Sequence, residues 1–294
     1  MKKEPSTTKE NLRPPRASLR PGLYLVATPI GHLGDITARA LETLSAADLV
    51  LCEDTRVTGQ LLRHFGLSCP LAVYNDHSEH ASHAHVIAQI KEGRAIALVS
   101  DAGMPLISDP GYQLVQACHL AEVYVTSIPG PSAVLMALQL SGLPSDAFLF
   151  GGFLPTKTGD RQRRFKSFDS VPATLIFFER ADRVVDSLLD ATASLRLHRA
   201  AVVRELTKLY EEVRIGSVDD LVSNLRDHPI KGEVVLLLDP VRGAKEWTQA
   251  DIDRLLRVYM AQMPVKEAAA AVADDTGLAK RVLYNRALTL KEDM

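Results

Sequence analysis

The chain has 294 residues, 46% of them apolar, which suits about two domains with sizeable cores. A formal charge of −2 and a pI near 6.5 exclude a polycation of the histone type, so any nucleic-acid site has to be a local patch. Cys52, Cys69 and Cys118 lack CxxC spacing and point to a reducing compartment; with no apolar run long enough for a membrane span or a secretory leader, a soluble cytoplasmic protein is expected.

Residues 1–21, rich in Lys, Arg and Pro without apolar periodicity, read as a disordered tail. From Gly22 strands and helices alternate. GLYLVATPI is a strand, and Asp35 is placed to cap a helix over TARALETLSA. DLVLCED, LAVYN, RAIALVS and EVYVTSIPG are further strands, with helices over TRVTGQLLRHFG, a His-rich stretch through Lys91, and YQLVQACHL between them. Such a rhythm predicts an α/β domain over 22–130 with a mainly parallel sheet. PSAVLMALQLSGLP starts a helix at Pro and ends it at Gly142. A second α/β domain is expected over 131–240. Its strands are ATLIFFE, AAVVREL, EEVRIGS and EVVLLLD, more antiparallel because AAVVREL and EEVRIGS lie close in sequence. Residues 246–294 read as three helices, the last two at helix-turn-helix spacing around TGL.

Polar or rigid turns stand at the ends of most strands. VSDAGMPLISDPG follows the most apolar strand with two prolines and two glycines, the mark of a loop held in shape for binding. TPIGHLGD lacks the third glycine of a dinucleotide fingerprint, and GxxxxGK[ST] is missing, so nicotinamide and nucleoside triphosphate readings lose their support. CEDTR sets Glu53, Asp54 and Arg56 at a strand end, which suits either a cleft or an Asp54 helix cap with a local ion pair. His77, His80, His83 and His85 do not match metal-ligand spacing and are expected on a solvated helix face, so no metal is expected. IPGPSA leads into a helix whose first N–H groups, at Ser132 and Ala133, suit a carboxylate. Lys157, Arg161, Arg163, Arg164 and Lys166 crowd ten positions and suit phosphates. RELTK and KGE add Glu205, Lys208 and Gly232. Together these turns describe a small-molecule cleft between two domains.

In this order, LYLVATPIGHLGDITARALE, CEDTR, ALVSDAGMPLISDPGY, IPGPSA, GFLP with its basic run, TLIFFE, RELTK and KGE resemble the tetrapyrrole-methylase-like superfamily of S-adenosylmethionine-dependent methyltransferases. Within it the chain is similar to the bacterial enzymes that methylate the ribose 2′-hydroxyl of a cytidine in the decoding region of small-subunit ribosomal RNA. The resemblance covers residues 22 to about 290 and implies two α/β domains, the methyl donor between them, and a homodimer. It implies that Pro29, Ser100, Asp101, Gly103, Met104, Ser132, Ala133, Phe177, Leu206 and Gly232 lie on the donor site. His32 and Met104 stand where that family usually has Asn and Thr. A ribose hydroxyl needs a base to take its proton. Glu53, Asp54, His77, Glu205 and Lys208 are the candidates, with Glu53 and Lys208 leading. Arg56, Lys157, Arg161, Arg163 and Arg164 are the expected RNA contacts. The alternatives are a methyltransferase acting on a tetrapyrrole and a non-enzymatic helix-turn-helix protein.

Overall fold

The computed structural model describes residues 19–74, 80–240, 248–276 and 278–292. The expected tail as far as residue 18, and His77, lie outside the described residues.

Five short strands, β1 (Gly22–Val26), β2 (Leu49–Cys52), β3 (Leu71–Val73), β4 (Ala95–Leu98) and β5 (Val125–Ile128), form an all-parallel sheet in the order β3-β2-β4-β1-β5. Helices α1 (Ala38–Ala46), α2 (Thr55–His64), α3 (His80–Lys91) and α4 (Tyr112–Leu120) make the crossovers. Both sheet faces are apolar, as a parallel sheet covered on two sides requires. Tyr24, Val26, Val50, Cys52, Ala95 and Ala97 pack on one face, and Leu23, Leu51, Ile96 and Leu98 on the other. Since all five strands run the same way, the loops after them gather along one edge. Thr37, not Asp35, caps α1: its hydroxyl accepts from Ala40 N at 3.1 Å, because Ile36 is still extended and Asp35 belongs to a preceding 3-10 turn. His83, expected on a solvated face, is buried instead and shares a 2.9 Å hydrogen bond with the Tyr74 hydroxyl.

Helix α5 (Ala133–Ser141) leads into a second sheet built from β6 (Phe148–Phe153), β7 (Thr174–Arg180), β8 (Leu197–Arg204), β9 (Glu212–Gly216) and β10 (Glu233–Pro240). Its order is β6-β7-β10-β8-β9, and every pairing except β6 with β7 is antiparallel. Period-two alternation divides its residues cleanly. Leu175, Phe177, Val202, Val234 and Leu236 pack under α6 (Thr158–Lys166), α7 (Val184–Ser194) and α8 (Val218–Asp227). Ile176, Ala201, Val203, Val235 and Leu237 face α5. Ile30, from the loop after β1, packs into this second cluster and ties the two sheets together.

Helices α9 (Gln249–Met260), α10 (Val265–Thr276) and α11 (Lys280–Glu292) bury a small core of their own around Leu256, Ala269, Val272, Leu283, Ala287 and Leu290. Asp253 and Arg286 pair across it at 2.7 Å, and that hydrogen bond holds the Asp253 carboxyl at about 2.

Candidate active site

The loop after β4 is stitched to the end of β1. Thr28 N donates to Gly103 O at 2.9 Å, and Gly103 N donates back to Thr28 O at 3.1 Å. The Ser100 hydroxyl donates to Ala102 O at 3.0 Å, and the Thr28 hydroxyl to Ser100 O at 3.1 Å. Leu106 (φ 72°) and Ser108 (φ 68°) are held left-handed, a conformation costing roughly 1–2 kcal/mol per residue for a side chain. Burial pushes the Asp109 carboxyl up, against a hydrogen bond from Ser100, and the nearby Asp101 charge pushes it further.

Facing this loop is a second constrained turn, after β8. Glu205 (φ 50°) and Thr207 (φ 63°) are also left-handed. Glu205 Oε1 accepts from Glu233 N at 3.0 Å and from Lys208 Nζ at 3.1 Å, while Lys208 Nζ donates to Glu233 Oε2 at 2.9 Å. Gly232 lies flat against this group: with φ 93°, a Cβ there would sit 2.3 Å from Glu205 Oε1. The two halves meet where His32 N donates to Thr207 Oγ1 at 3.0 Å. Gly31 permits that approach, since its Cβ would fall 2.6 Å from Thr207 Oγ1.

Between the turns lies a cavity of about 430 Å³, within the range of small-molecule sites. Asp101, Gly103, Met104, Ser132, Ala133, Leu206 and Gly232, all expected on the donor site, line it, and so does Glu53. Pro29 and Ser100 line an adjoining recess that shares Ile30, Asp101 and Ala102 with it. Ser132 caps α5, with its hydroxyl towards Leu135 N, so the first turn of that helix opens at the cavity wall.

Phe177 is a correction. Its ring is fully buried in the core against Phe165 and Phe168, on the face of β7 turned away from the cavity. Phe178, one residue on, lines the cavity instead. Ile107 and Asp109 of the VSDAGMPLISDPG loop and Phe153 of GFLP line it too, as does Arg180, which lies outside the motifs. The signal for Phe178 was present in the alternation of TLIFFER, once Ile176 is known to face α5.

Arg161 is another correction. Only 2% exposed, it donates Nε to Asp190 Oδ2 at 2.7 Å and Nη1 to the carbonyls of Pro155 and Thr156, which removes it from any phosphate. Lys157, Arg163 and Arg164 are exposed around the same helix. Arg163 pairs with Asp160, and Arg164 lies over the Phe168 ring and donates to Gly151 O at 3.2 Å. Arg56 is exposed and gripped by Asp54.

The candidate bases separate as well. Asp54 caps α2, and its hydrogen bonds from the Arg56 side chain and backbone hold its carboxyl at about 2, a poor proton acceptor. Glu205 is lowered, chiefly by the hydrogen bond from Glu233 N. Burial alone would lower Lys208, but its hydrogen bonds to Glu233 and Glu205 outweigh that, and the ammonium is stabilised. Lys208, expected as a leading base, is therefore held in the form that has no lone pair to offer. Glu53, the other leading candidate, lines the cavity.

The wall is acidic. Asp101, Asp109, Glu53, Glu205 and Glu233 line the cavity, whereas the carboxylate of Glu179 turns back to Arg180 N and the Ser187 hydroxyl, at 2.8 and 2.6 Å. Ile30, Met104, Val134, Leu206 and Val235 supply the rest of the lining. An organic cation with a flat apolar body suits such a site.

Comparison with known proteins agrees with this geometry. Residues 22–222 match the family of Tetrapyrrole (Corrin/Porphyrin) Methylases, and residues 248–291 match the RsmI C-terminal HTH domain. The chain is 50% identical over 281 residues to the Ribosomal RNA small subunit methyltransferase I of Mesorhizobium japonicum, covering 95% of each. It is 45% identical over 269 residues to the protein of that name from Escherichia coli O157:H7, covering 90% of this chain and 94% of that one. Among solved structures, uroporphyrin-III-C-methyltransferase from Thermus thermophilus aligns at a TM-score of 0.53 and 22% identity, over 76% of this chain and 96% of that one. Diphthine synthase aligns at 0.55 and 18%, over 74% and 89%. At these identities the structural likeness speaks for the fold alone. The stitched loop, the opposed turn, the acidic cavity between two sheets and the match over residues 22–222 together place this chain in the tetrapyrrole methylase family.

Proposed function

We propose that the protein is an S-adenosylmethionine-dependent methyltransferase that methylates the ribose 2′-hydroxyl of a cytidine in small-subunit ribosomal RNA. The observation that carries this reading is the single cavity on which loop 99–111, the start of α5 and the Glu205–Gly232 turn converge, in a chain half identical to a protein named for methylating that RNA. The lining fits the donor: acidic side chains for its sulfonium and ammonium charges, N–H groups at the start of α5 for its carboxylate, and apolar residues for its nucleoside. The donor supplies an electrophilic methyl group.

This chain's own residues supply alignment and proton transfer. Loop 99–111 and the opposed turn would hold the donor, and alignment of the reacting atoms would contribute much of the rate. Glu53 would accept the hydroxyl proton as the ribose oxygen takes the methyl carbon and that carbon's bond to the donor sulfur breaks, leaving a neutral thioether. Lys208 keeps Glu205 and Glu233 in place. Lys157, Arg163, Arg164 and Arg56 contact RNA phosphates, and the chain works in the cytoplasm as a homodimer.

Small subunits purified from cells lacking this protein are the test substrate. Methyl transfer to a single ribose, mapped on the RNA, and none to a tetrapyrrole precursor are expected. Glu53→Gln, assayed at saturating donor with the donor affinity measured by calorimetry, should lower kcat by roughly 10²-fold or more. Transfer only to the tetrapyrrole would replace the reading with its rival.

A further inference from the structure

Phe153 ends β6 and is 62% exposed, although it lines the cavity. It is not an isolated surface hydrophobe. Its register partner on β7 is Phe178, whose ring meets it edge-on at 5.2 Å and meets Phe150 at 4.8 Å. Ile107, 42% exposed, lines the same cavity from the opposite sheet's loop. Phe178 therefore braces Phe153 from within, while most of the Phe153 ring faces outward at the mouth of the site.

The charge around this ring differs from that deeper in. Arg180 lies two residues beyond Phe178 on β7, lines the cavity, and is planted by a bidentate pair with Asp182 at 3.0 and 3.1 Å. That pair uses two of its five N–H donors. An outward aromatic ring near a fixed guanidinium, at the mouth of a pocket lined with carboxylates, suits a flat base attached to a polyanion. A purely apolar occupant would gain nothing from Arg180.

We infer that Phe153 is the stacking platform for the target base, which leaves its RNA stack so that its ribose can enter the cavity. Enzymes acting on one nucleotide commonly take it out of the stack and hold its face against an aromatic side chain. This rests on the reading of RNA as substrate. Phe178 sets the position of the platform, and Glu53 lies at the cavity wall towards which the ribose would hang.

The test is methyl transfer by the full chain to unmodified small subunits, with donor affinity and sedimentation measured in parallel. Phe153→Ala should lower kcat/KM roughly 10- to 100-fold with donor affinity and oligomeric state unchanged. Phe153→Tyr should restore it to within roughly threefold, whereas Phe153→Leu, apolar but without a π face, should not. Full activity of Phe153→Ala, or equal rescue by Leu and Tyr, overturns the platform. Loss of activity together with a change in sedimentation assigns Phe153 to an interface between copies and also overturns it. No transfer by the unaltered protein removes the RNA reading itself, a result distinct from the others.

Discussion

The two walls of the cleft are built on different principles. The first sheet is parallel throughout, so its strand ends share one edge, and Glu53, Asp101 and Met104 reach the cavity simply by following a strand. The second sheet is largely antiparallel and meets the cavity partly with a face, so Phe178, Val203 and Val235 reach it from within strands. On the first wall, function is spelled out in contiguous turns. On the second it depends on parity, and one residue of shift exchanges a cavity residue for a core residue.

The sharpest test of that difference is the neighbouring pair on β7. Phe177→Ala should cost about 4 kcal/mol of unfolding free energy in denaturant titration, because it empties a fully enclosed site. Phe178→Ala should cost clearly less and instead weaken catalysis. Equal losses of stability would break the parity argument. Next in size is the contrast within α6. Arg161→Ala strands the buried Asp190 carboxylate and should cost about 3 kcal/mol. Arg163→Ala should change stability by no more than about 0.5 kcal/mol while making RNA binding weaker and less salt-dependent. A dependence of RNA affinity on Arg161 at equal folded fraction would return that residue to the surface.

The smallest effect concerns Lys208, whose clamp belongs to the second wall. Its pKa is raised in the folded chain, so folding binds this proton more tightly. The stabilisation is present in full below the unfolded lysine value of about 10.4 and disappears as pH climbs through the folded one. Lys208→Met should flatten that alkaline decline in a series of thermal melts. An unchanged slope would mean that Glu205 and Glu233 do not hold the ammonium.

Legibility followed the same division. Apart from β6 (Phe148–Phe153), for which no strand is expected, and α5, which begins at Ala133 under a Ser132 cap rather than at Pro131, the alternation of strands and helices from Gly22 to Pro240, the constrained loop around Gly103 and the turn at Gly232 could be read directly, because each depends on residues adjacent in sequence. The Asp54 cap was legible as one of two options, and the structure shows it taken. Asp35 misled because an acidic residue before a helix resembles a cap, while the extended Ile36 delays the helix to Thr37. Arg161 misled because charge runs look alike in sequence. Only the arrival of Asp190, from 29 residues away, buries one arginine and leaves its neighbours in water.

Sequence by itself determined most of the strands and helices, and which strand ends are rigid, polar and close-approaching, since backbone angles are local matters. Tertiary structure alone decided which face of β7 meets the cavity, which arginines are exposed, and which carboxylates are clamped. Those outcomes depend on partners distant along the chain, and a charge has its chemistry set by what packs against it.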